Sequence, residues 1–252
     1  MRPSISLVVP MYNEVENIEH AVGVATRALD EFASRHEIVI VDDASTDRSP
    51  EIVRRLAAAD PRIRVLRHDH NLKLGGTLRD GFAATLMDLV LYMDADLPFD
   101  PREIGRAISA MEVTRADMIA AYRYDRTGEG LRRAVYSYVY NGLIGVLFGW
   151  PHRDINFAFK LMKREVLDAV ELRSEGSLIS AELITKSKNL GFTVQQIGLD
   201  YFPRTRGRST LSSLGVIGKI FRELVVLYPE MRHPRRRASR PAPARAEDRA
   251  TP

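Results

Sequence analysis

Acidic side chains follow three separate apolar segments of the sequence, each at the point where a predicted strand ends. The three clusters are Pro10–Glu14, Asp42–Asp47 and Asp94–Asp96. In an open α/β sheet, the carboxyl ends of parallel strands meet at one edge, and ligands bind beyond that edge. Carboxylates gathered there repel one another unless a positive charge lies between them. The pattern therefore predicts a cation-binding site at this edge.

The pair Asp94 and Asp96 is the best candidate for the metal ligands. It directly follows Leu89–Met93, an apolar run typical of a buried strand. Two carboxylates two residues apart offer hard oxygen ligands to Mg²⁺ or Mn²⁺ and leave coordination positions for phosphate oxygens. The chain has no cysteine, which excludes thiolate ligands and disulfides. We expect Mg²⁺ or Mn²⁺ as the cofactor; the alternative interpretation of the motif is a solvated turn.

The glycine-rich turn Asn71–Thr77 precedes a predicted helix, where backbone N–H groups are suited to meet an anion or simply begin the helix. It lacks the Gly-x-x-x-x-Gly-Lys-Ser/Thr pattern of a P-loop, and the chain has no Gly-x-Gly-x-x-Gly pattern. Phosphoryl transfer by a P-loop and dinucleotide redox chemistry are therefore disfavoured. The histidines of His68–His70 are expected to be structural or solvated rather than metal ligands.

Strand-like and helix-like segments alternate along most of the chain, which predicts an α/β fold around a mainly parallel sheet. The predicted strands are Ser4–Val9, Glu37–Val41, Arg62–Arg67, Leu89–Met93, Met118–Ala121, Asn156–Met162 and Thr193–Ile197. The predicted helices are Glu14–Phe32, Asp47–Ala59, Gly75–Met87, Pro101–Val113, Leu131–Phe148, Arg164–Val170 and Ile179–Asn189.

Charge and composition predict one domain over residues 1–228 and a disordered basic Pro/Arg/Ala tail over 229–252. The tail has seven arginines against three acids, a surplus equal to the net charge of +4, so the remainder is neutral. A neutral domain does not favour nucleic acid as a partner. Residues 211–228 are predicted to form an amphipathic helix, and no segment is apolar enough for a signal peptide or a membrane span. We expect a cytoplasmic protein with peripheral contact to the cytoplasmic membrane face.

Five motifs, in this order, resemble family 2 glycosyltransferases with a GT-A fold, a Rossmann-like three-layer sandwich. They are Val8–Glu14, Ile40–Asp47, Met93–Leu97, Asp154–Leu161 and Tyr201–Ser209. Together they look like the polyprenyl-phosphate (dolichyl-phosphate) mannosyl- and glucosyltransferases. The resemblance covers about residues 4 to 215.

The resemblance implies a role for individual residues. The implied nucleotide-binding residues are Pro10, Tyr12, Glu14, Val41, Asp43, Asp94, Ala95 and Asp96. The implied catalytic residues are Asp94, Asp96, Arg123 and Arg204, of which the two acids also hold the metal. The implied acceptor-binding residues are Arg204, Arg206, Arg208 and Ser209. Guanidinium groups suit these roles because they bind phosphate oxygens bidentately.

The implied reaction is an inverting transfer of a hexose, mannose or glucose, from GDP-mannose or a UDP-sugar to a dolichyl or undecaprenyl phosphate. A lipid phosphate is already an anion and needs no general base, whereas a hydroxyl acceptor requires a carboxylate to take its proton. Glu182 is a candidate for that base, although an exposed helix acid paired with Lys186 is the favoured interpretation.

Some residues depart from the family pattern, so two alternatives stay open. Thr210 stands where the mannosyltransferases commonly have lysine, and Ala158 where the family usually has glycine. One alternative keeps the donor chemistry but uses a soluble hydroxyl acceptor, such as a secondary metabolite or a polysaccharide intermediate. The other is a non-catalytic sugar-nucleotide-binding partner. A nucleotidyltransferase is disfavoured because Pro10–Glu14 is acidic rather than basic.

Overall fold

The computed structural model describes residues 2–125, 131–149, 153–202 and 214–237. Its strands are β1 (Ser4–Met11), β2 (Arg35–Asp42), β3 (Ile63–Arg67), β4 (Leu89–Met93), β5 (Met118–Arg123), β6 (Phe159–Lys163) and β7 (Val194–Leu199). Its helices are α1 (Ile18–Phe32), α2 (Ser49–Ala59), α3 (Lys73–Ala84), α4 (Glu103–Thr114), α5 (Leu131–Phe148), α6 (Arg164–Ala169), α7 (Ile179–Asn189) and α8 (Leu214–Arg232).

The described strands form one sheet in the order β3-β2-β1-β4-β6-β5-β7. Strand β6 is antiparallel to both of its neighbours, β4 and β5, and every other pairing in the sheet is parallel. The other six strands therefore point the same way and end at the same edge. This confirms the predicted α/β fold with a mainly parallel sheet.

Helices cover both faces of this sheet because side chains alternate between the faces along each strand. In β1, Leu7 and Val9 pack into a core with residues of α1, α2 and α4. Val8 points to the other face and packs into a second core with residues of α3, α5, α6, α7 and α8. The result is the predicted three-layer sandwich.

Several element boundaries differ by a few residues from the sequence-based prediction. Helix α1 begins at Ile18 rather than Glu14, after a turn in which the N–H groups of Asn17 and Ile18 both donate to the Glu14 carbonyl at 3.0 Å. Strand β6 begins at Phe159 rather than Asn156, after a turn. Helix α8 continues through Pro229 to Arg232, four residues past the predicted domain boundary at 228. The fully buried Met231 anchors this last turn.

Candidate active site

The three acidic clusters meet at one edge of the sheet, as predicted. They follow β2, β1 and β4, which are neighbours and run parallel. The first two clusters are joined by side chains: the Ser45 hydroxyl accepts from the Asn13 N–H at 3.0 Å, and Asn13 Oδ1 accepts from the Thr46 N–H at 2.8 Å. Asn13 and Ala44 adopt positive φ angles of 56° and 61°. These turns are therefore held in a defined conformation beside β4.

The predicted nucleotide-binding residues of these two clusters differ in accessibility. Pro10 and Val41 are register partners at the ends of β1 and β2. Val41 is fully buried, so its side chain belongs to the core, whereas Pro10 is half-buried. Tyr12 is exposed, and Glu14 accepts a hydrogen bond from the Asn17 amide at 2.7 Å. Of this group, only Tyr12 is exposed, while Pro10 and Glu14 are half-buried.

Asp43, the first residue after β2, takes part in a network of hydrogen bonds with the segments that follow β3. Its Oδ1 accepts from the Leu72 N–H at 2.7 Å and lies 2.8 Å from Nδ1 of His68. The other ring nitrogen of His68, Nε2, lies 3.1 Å from Oδ2 of Asp80 in α3. This confirms the interpretation of His68 as a structural histidine, and it places the residue in contact with a predicted nucleotide-binding carboxylate.

The carboxylate of Asp94 has a defined orientation. The Tyr92 hydroxyl donates to Asp94 Oδ1 at 2.7 Å. Burial, reinforced by the nearby charge of Asp94, raises the pKa of Tyr92 well above its usual value, so the phenol stays protonated as a donor. Tyr92 was not predicted, although its position two residues before Asp94 on the same side of the strand is a usable signal.

The carboxylates of Asp94 and Asp96 have the chemistry needed to hold a divalent metal ion that also binds phosphate oxygens. Within the described ranges, no three His, Cys, Asp or Glu side chains converge on a point suited to a metal ion. If a metal binds at this edge, Asp94 and Asp96 would supply two carboxylate ligands, and phosphate oxygens and water would complete the coordination. Mg²⁺ in nucleotide sites is bound in this way, through one or two carboxylates plus substrate phosphates.

A buried cation lies behind the acidic pair. Lys160 is the register partner of Tyr92, and its ammonium nitrogen lies 5.5 Å from the centre of the Tyr92 ring. It donates to the Phe157 carbonyl at 2.7 Å. Burial lowers the pKa of Lys160 to about 8, although the charges of Asp154 and Asp94 oppose the shift. The sequence analysis assigned no role to Lys160. A lysine within an apolar run is a signal that could have identified it.

Arg123, a predicted catalytic residue, forms a buried ion pair with Asp154. Its Nε and Nη2 atoms donate to the two carboxylate oxygens at 2.6 and 2.9 Å. Its guanidinium carbon lies 5.5 Å from the ring centre of Phe157 and 5.0 Å from that of Tyr201. Arg123 thus links β5 to the turn before β6 and to the segment after β7. Its phosphate-binding role stays a prediction.

The predicted acceptor loop lies outside the described residues. This applies to Arg204, Arg206, Arg208, Ser209 and Thr210. The chain enters that loop beside the acidic pair, because the Phe202 N–H donates to the Pro98 carbonyl at 3.0 Å. Pro98 is two residues after Asp96.

Glu182 is not the exposed helix acid that the sequence predicts. Its pairing with Lys186 is confirmed at 2.6 Å, but the expected exposure is wrong, because Glu182 is fully buried. Its carboxylate also accepts from the N–H groups of Arg173 at 2.9 Å and Ser174 at 2.8 Å. Helix α7 is enclosed on all sides, and every residue from Ile179 to Ser187 is buried. A carboxylate occupied in this way is poorly suited to act as a general base.

The glycine turn at the start of α3 is also structural. The Gly75 N–H donates to the Glu175 carbonyl at 2.8 Å, so it is already occupied. A Cβ atom at Gly75 would overlap the Ser174 carbonyl oxygen. Glycine is needed here for close approach of α3 to the segment that Glu182 binds.

Comparison with known proteins places this geometry in context. Residues 6–171 match the family described as Glycosyl transferase family 2. Glycosyltransferase AglD of Haloferax volcanii is 32% identical over 207 residues, which cover 79% of this chain but 33% of AglD. Polyprenol monophosphomannose synthase of Mycolicibacterium smegmatis is 29% identical over 227 residues, covering 86% of this chain and 84% of the synthase. The chain thus spans about a third of one relative and most of the other.

Solved structures agree on the fold. Glucosyl-3-phosphoglycerate synthase from Mycobacterium tuberculosis, in complex with phosphoglyceric acid, aligns with a TM-score of 0.69 at 20% identity, covering 91% of this chain and 80% of the synthase. The same enzyme in complex with Mn²⁺, uridine diphosphate and glucosyl-3-phosphoglycerate aligns with a TM-score of 0.68 at 21% identity, with the same coverage. At this identity the similarity establishes the GT-A fold. The family match over residues 6–171 shows that the chain belongs to glycosyl transferase family 2 and is a glycosyltransferase.

Proposed function

We propose that this glycosyltransferase moves a hexose, mannose or glucose, from GDP-mannose or a UDP-sugar to a polyprenyl phosphate, with inversion at the anomeric carbon. The observation that carries the proposal is the meeting of Asp94–Asp96 with the Pro10–Glu14 and Asp42–Asp47 turns at one sheet edge. The acceptor loop begins beside them, through the Phe202 contact with Pro98. The similarity to the mycobacterial polyprenol monophosphomannose synthase also supports a polyprenol acceptor.

On the donor side, Asp94 and Asp96 would hold Mg²⁺ or Mn²⁺. The metal, when bound, offsets the negative charge that develops on the departing nucleoside diphosphate. The hydrogen bond from the Tyr92 hydroxyl to Asp94 Oδ1, at 2.7 Å, supports this proposal because it restricts the orientation of the Asp94 carboxylate. Tyr12, Glu14 and Asp43 would line the nucleoside portion of the site.

On the acceptor side, a phosphate oxygen would form a bond to the anomeric carbon as the bond from that carbon to the diphosphate oxygen breaks. A phosphate nucleophile has no proton to lose, so no general base is required. The burial of Glu182 favours this acceptor over a hydroxyl, because it removes the candidate base. Arg204 stays the proposed phosphate ligand of the acceptor loop, because a guanidinium group binds phosphate oxygens bidentately.

An apolar surface on α5 and α8 supports peripheral contact with a membrane that presents the lipid acceptor. The two helices meet through Phe148 and Tyr228, whose ring centres are 5.4 Å apart. Exposed large apolar side chains on these helices are Val135, Tyr138, Val139, Val146, Phe221, Val225 and Val226. Lys219 and Arg222 are also exposed on α8, where they suit anionic headgroups. None of the helices in the described ranges combines the length and apolarity needed to cross a bilayer.

The decisive experiment incubates the protein and Mn²⁺ with labelled GDP-mannose or UDP-glucose and a polyprenyl phosphate in anionic vesicles. We expect labelled glycolipid, and we expect the protein to sediment with the vesicles. A parallel arm replaces the lipid with phosphoglyceric acid and with simple polyol acceptors. Transfer only in that arm would refute the lipid acceptor and favour the soluble one.

The metal assignment is tested with Asp96→Asn, which keeps the shape of the side chain but removes its charge. We expect the variant to lose transfer and Mn²⁺-dependent nucleotide binding. The matched control is Glu112→Gln, an exposed acid near the end of α4, at the opposite edge of the sheet. Normal turnover by the Asp96 variant would rule out its role as a metal ligand.

A further inference from the structure

We infer that His68 is a positioning residue for the donor nucleotide, because it holds the carboxylate of Asp43 with one oxygen directed to the ligand. This inference rests on the proposed function, in which Asp43 contacts the nucleoside portion of the donor. It adds a residue that has no place in the family motifs quoted above. The side chain of His68, together with the Asp43 and Asp80 carboxylates that its two ring nitrogens contact, forms what we name the histidine bridge.

The sheet brings the members of the histidine bridge together. Asp43 comes directly after β2 and His68 directly after β3, and these neighbouring strands are parallel. The His68 N–H donates to the Asp42 carbonyl at 2.9 Å, which continues the strand pairing and fixes the backbone of His68. Nδ1 then lies 2.8 Å from Asp43 Oδ1, and Nε2 lies 3.1 Å from Asp80 Oδ2.

Burial makes the inner half of the histidine bridge stronger than the outer half. The side chains of His68 and Asp43 are 10% and 5% exposed, whereas that of Asp80 is 54% exposed. Both ring nitrogens of His68 face carboxylate oxygens, which act only as acceptors. The adjacent charges are Arg67 and Asp42, whose Nε and Oδ2 atoms lie 3.4 Å apart. The Asp43 contact is therefore sheltered from solvent, while the Asp80 contact is screened.

The histidine bridge divides the two oxygens of Asp43 between structure and ligand. Asp43 Oδ1 lies 2.8 Å from Nδ1 of His68 and accepts a hydrogen bond from the Leu72 N–H at 2.7 Å. No donor from the described ranges contacts Oδ2. A carboxylate oxygen at this edge can accept only an N–H or O–H, which a nucleoside has on its base and ribose and a diphosphate does not. His68 would thus influence recognition of the nucleoside and not of the diphosphate.

Two isosteric variants separate positioning from packing. In His68→Asn the amide nitrogen takes the place of Nδ1, so the donor to Asp43 is retained. In His68→Gln the amide nitrogen takes the place of Nε2, so the contact with Asp80 is retained and that with Asp43 is lost. We expect His68→Gln to weaken UDP or GDP binding with Mn²⁺ by about tenfold, because a misdirected Asp43 would lose its one hydrogen bond to the nucleoside. His68→Asn should bind within about twofold of the unmodified protein.

The readout must also show that the effect passes through Asp43. The dissociation constant of Mn²⁺-pyrophosphate, which lacks a nucleoside, should be the same in all variants. Adding His68→Gln to Asp43→Asn should give no further loss, because residues that act through one contact are not additive. If His68→Gln does not fold, as judged by its melting transition, Asp80→Asn replaces it and should give a smaller loss in the same direction.

The outcomes distinguish this inference from the proposed function. If Asp43→Asn weakens nucleotide binding but the glutamine and asparagine variants of His68 behave alike, His68 is not a positioning residue. Equal weakening of pyrophosphate and nucleotide binding also overturns the inference, since it indicates general damage to the fold. If Asp43→Asn leaves nucleotide binding unchanged, the proposed nucleoside contact itself is wrong.

Discussion

Replacing Glu182 by alanine tests whether this residue is structural or catalytic. The variant removes the acceptor for three groups: the N–H of Arg173, the N–H of Ser174 and the ammonium of Lys186. Lys186 is 3% exposed, so its charge would remain buried. Breaking a buried ion pair by removing one partner costs about 3–5 kcal/mol.

The remaining contacts of Lys186 reduce the part of the loss that comes from its charge, whereas the Arg173 and Ser174 N–H groups that lose their acceptor add to it. Its ammonium also donates to the Glu171 carbonyl at 2.7 Å and lies 3.7 Å from the Glu230 carboxylate. We therefore expect the free energy of unfolding to fall by about 3 kcal/mol, a large share of the roughly 5–15 kcal/mol typical of a domain. The double variant Glu182→Leu with Lys186→Met should recover much of this loss, because it leaves no unpaired buried charge.

Urea unfolding of the three proteins measures these differences, provided that the slope with denaturant stays constant. Activity is measured in parallel at a temperature where the single variant is folded, and kcat should fall by less than about tenfold. A variant of Glu182 with unchanged stability and a kcat reduced by about a thousandfold, as for a lost general base, would refute the structural assignment.

Two further predictions concern other buried groups. Lys160→Met should change the pH dependence of stability: burial lowers the pKa of Lys160 from 10.5 to about 8, so between these values the unfolded state holds more protons than the folded one. The free energy of unfolding of the unmodified protein should therefore rise by about 3 kcal/mol relative to the variant from pH 8 to pH 10.5, and parallel curves would contradict this. Gly75→Ala should lower the unfolding free energy by about 3 kcal/mol, because the new methyl group overlaps the Ser174 carbonyl. The control Gly142→Ala, on an open part of α5, should raise it by about 0.5–1 kcal/mol in urea unfolding, and equal effects at both glycines would be evidence against the close contact.

The sequence was sufficient to predict the sheet edge at which the site forms. Apolar runs such as Leu89–Met93 and the acids that follow them are local features, and parallel strands necessarily bring such strand ends together. The burial of Glu182 was not predictable in the same way. A Glu–Lys pair four residues apart is usual on an exposed helix face. Only the packing of α7 against neighbouring elements shows that both residues are inside.

The roles of His68 and Lys160 depend on strand order, which local patterns do not encode. His68 meets Asp43 because β3 lies next to β2, and Lys160 lies across from Tyr92 because β6 inserts between β4 and β5. Strand β6 follows β5 along the chain, but in the sheet it lies between β4 and β5 and runs antiparallel to both. A prediction from the sequence would need the register of each pair to find these contacts.

The reversed strand also determines how the enzyme can diversify. The strands on the proposed donor side, β2, β1 and β4, are hydrogen-bonded to β5 and β7 only by way of β6. Because β6 runs the opposite way, its amino end lies at the site edge, and the turn with Asp154 enters there directly. We expect insertions or substitutions in that turn to leave the register of the donor-side strands unchanged, because these strands pair with one another independently of it. Under the proposed function, the acceptor side can therefore change in evolution while the donor-side strands keep their pairing.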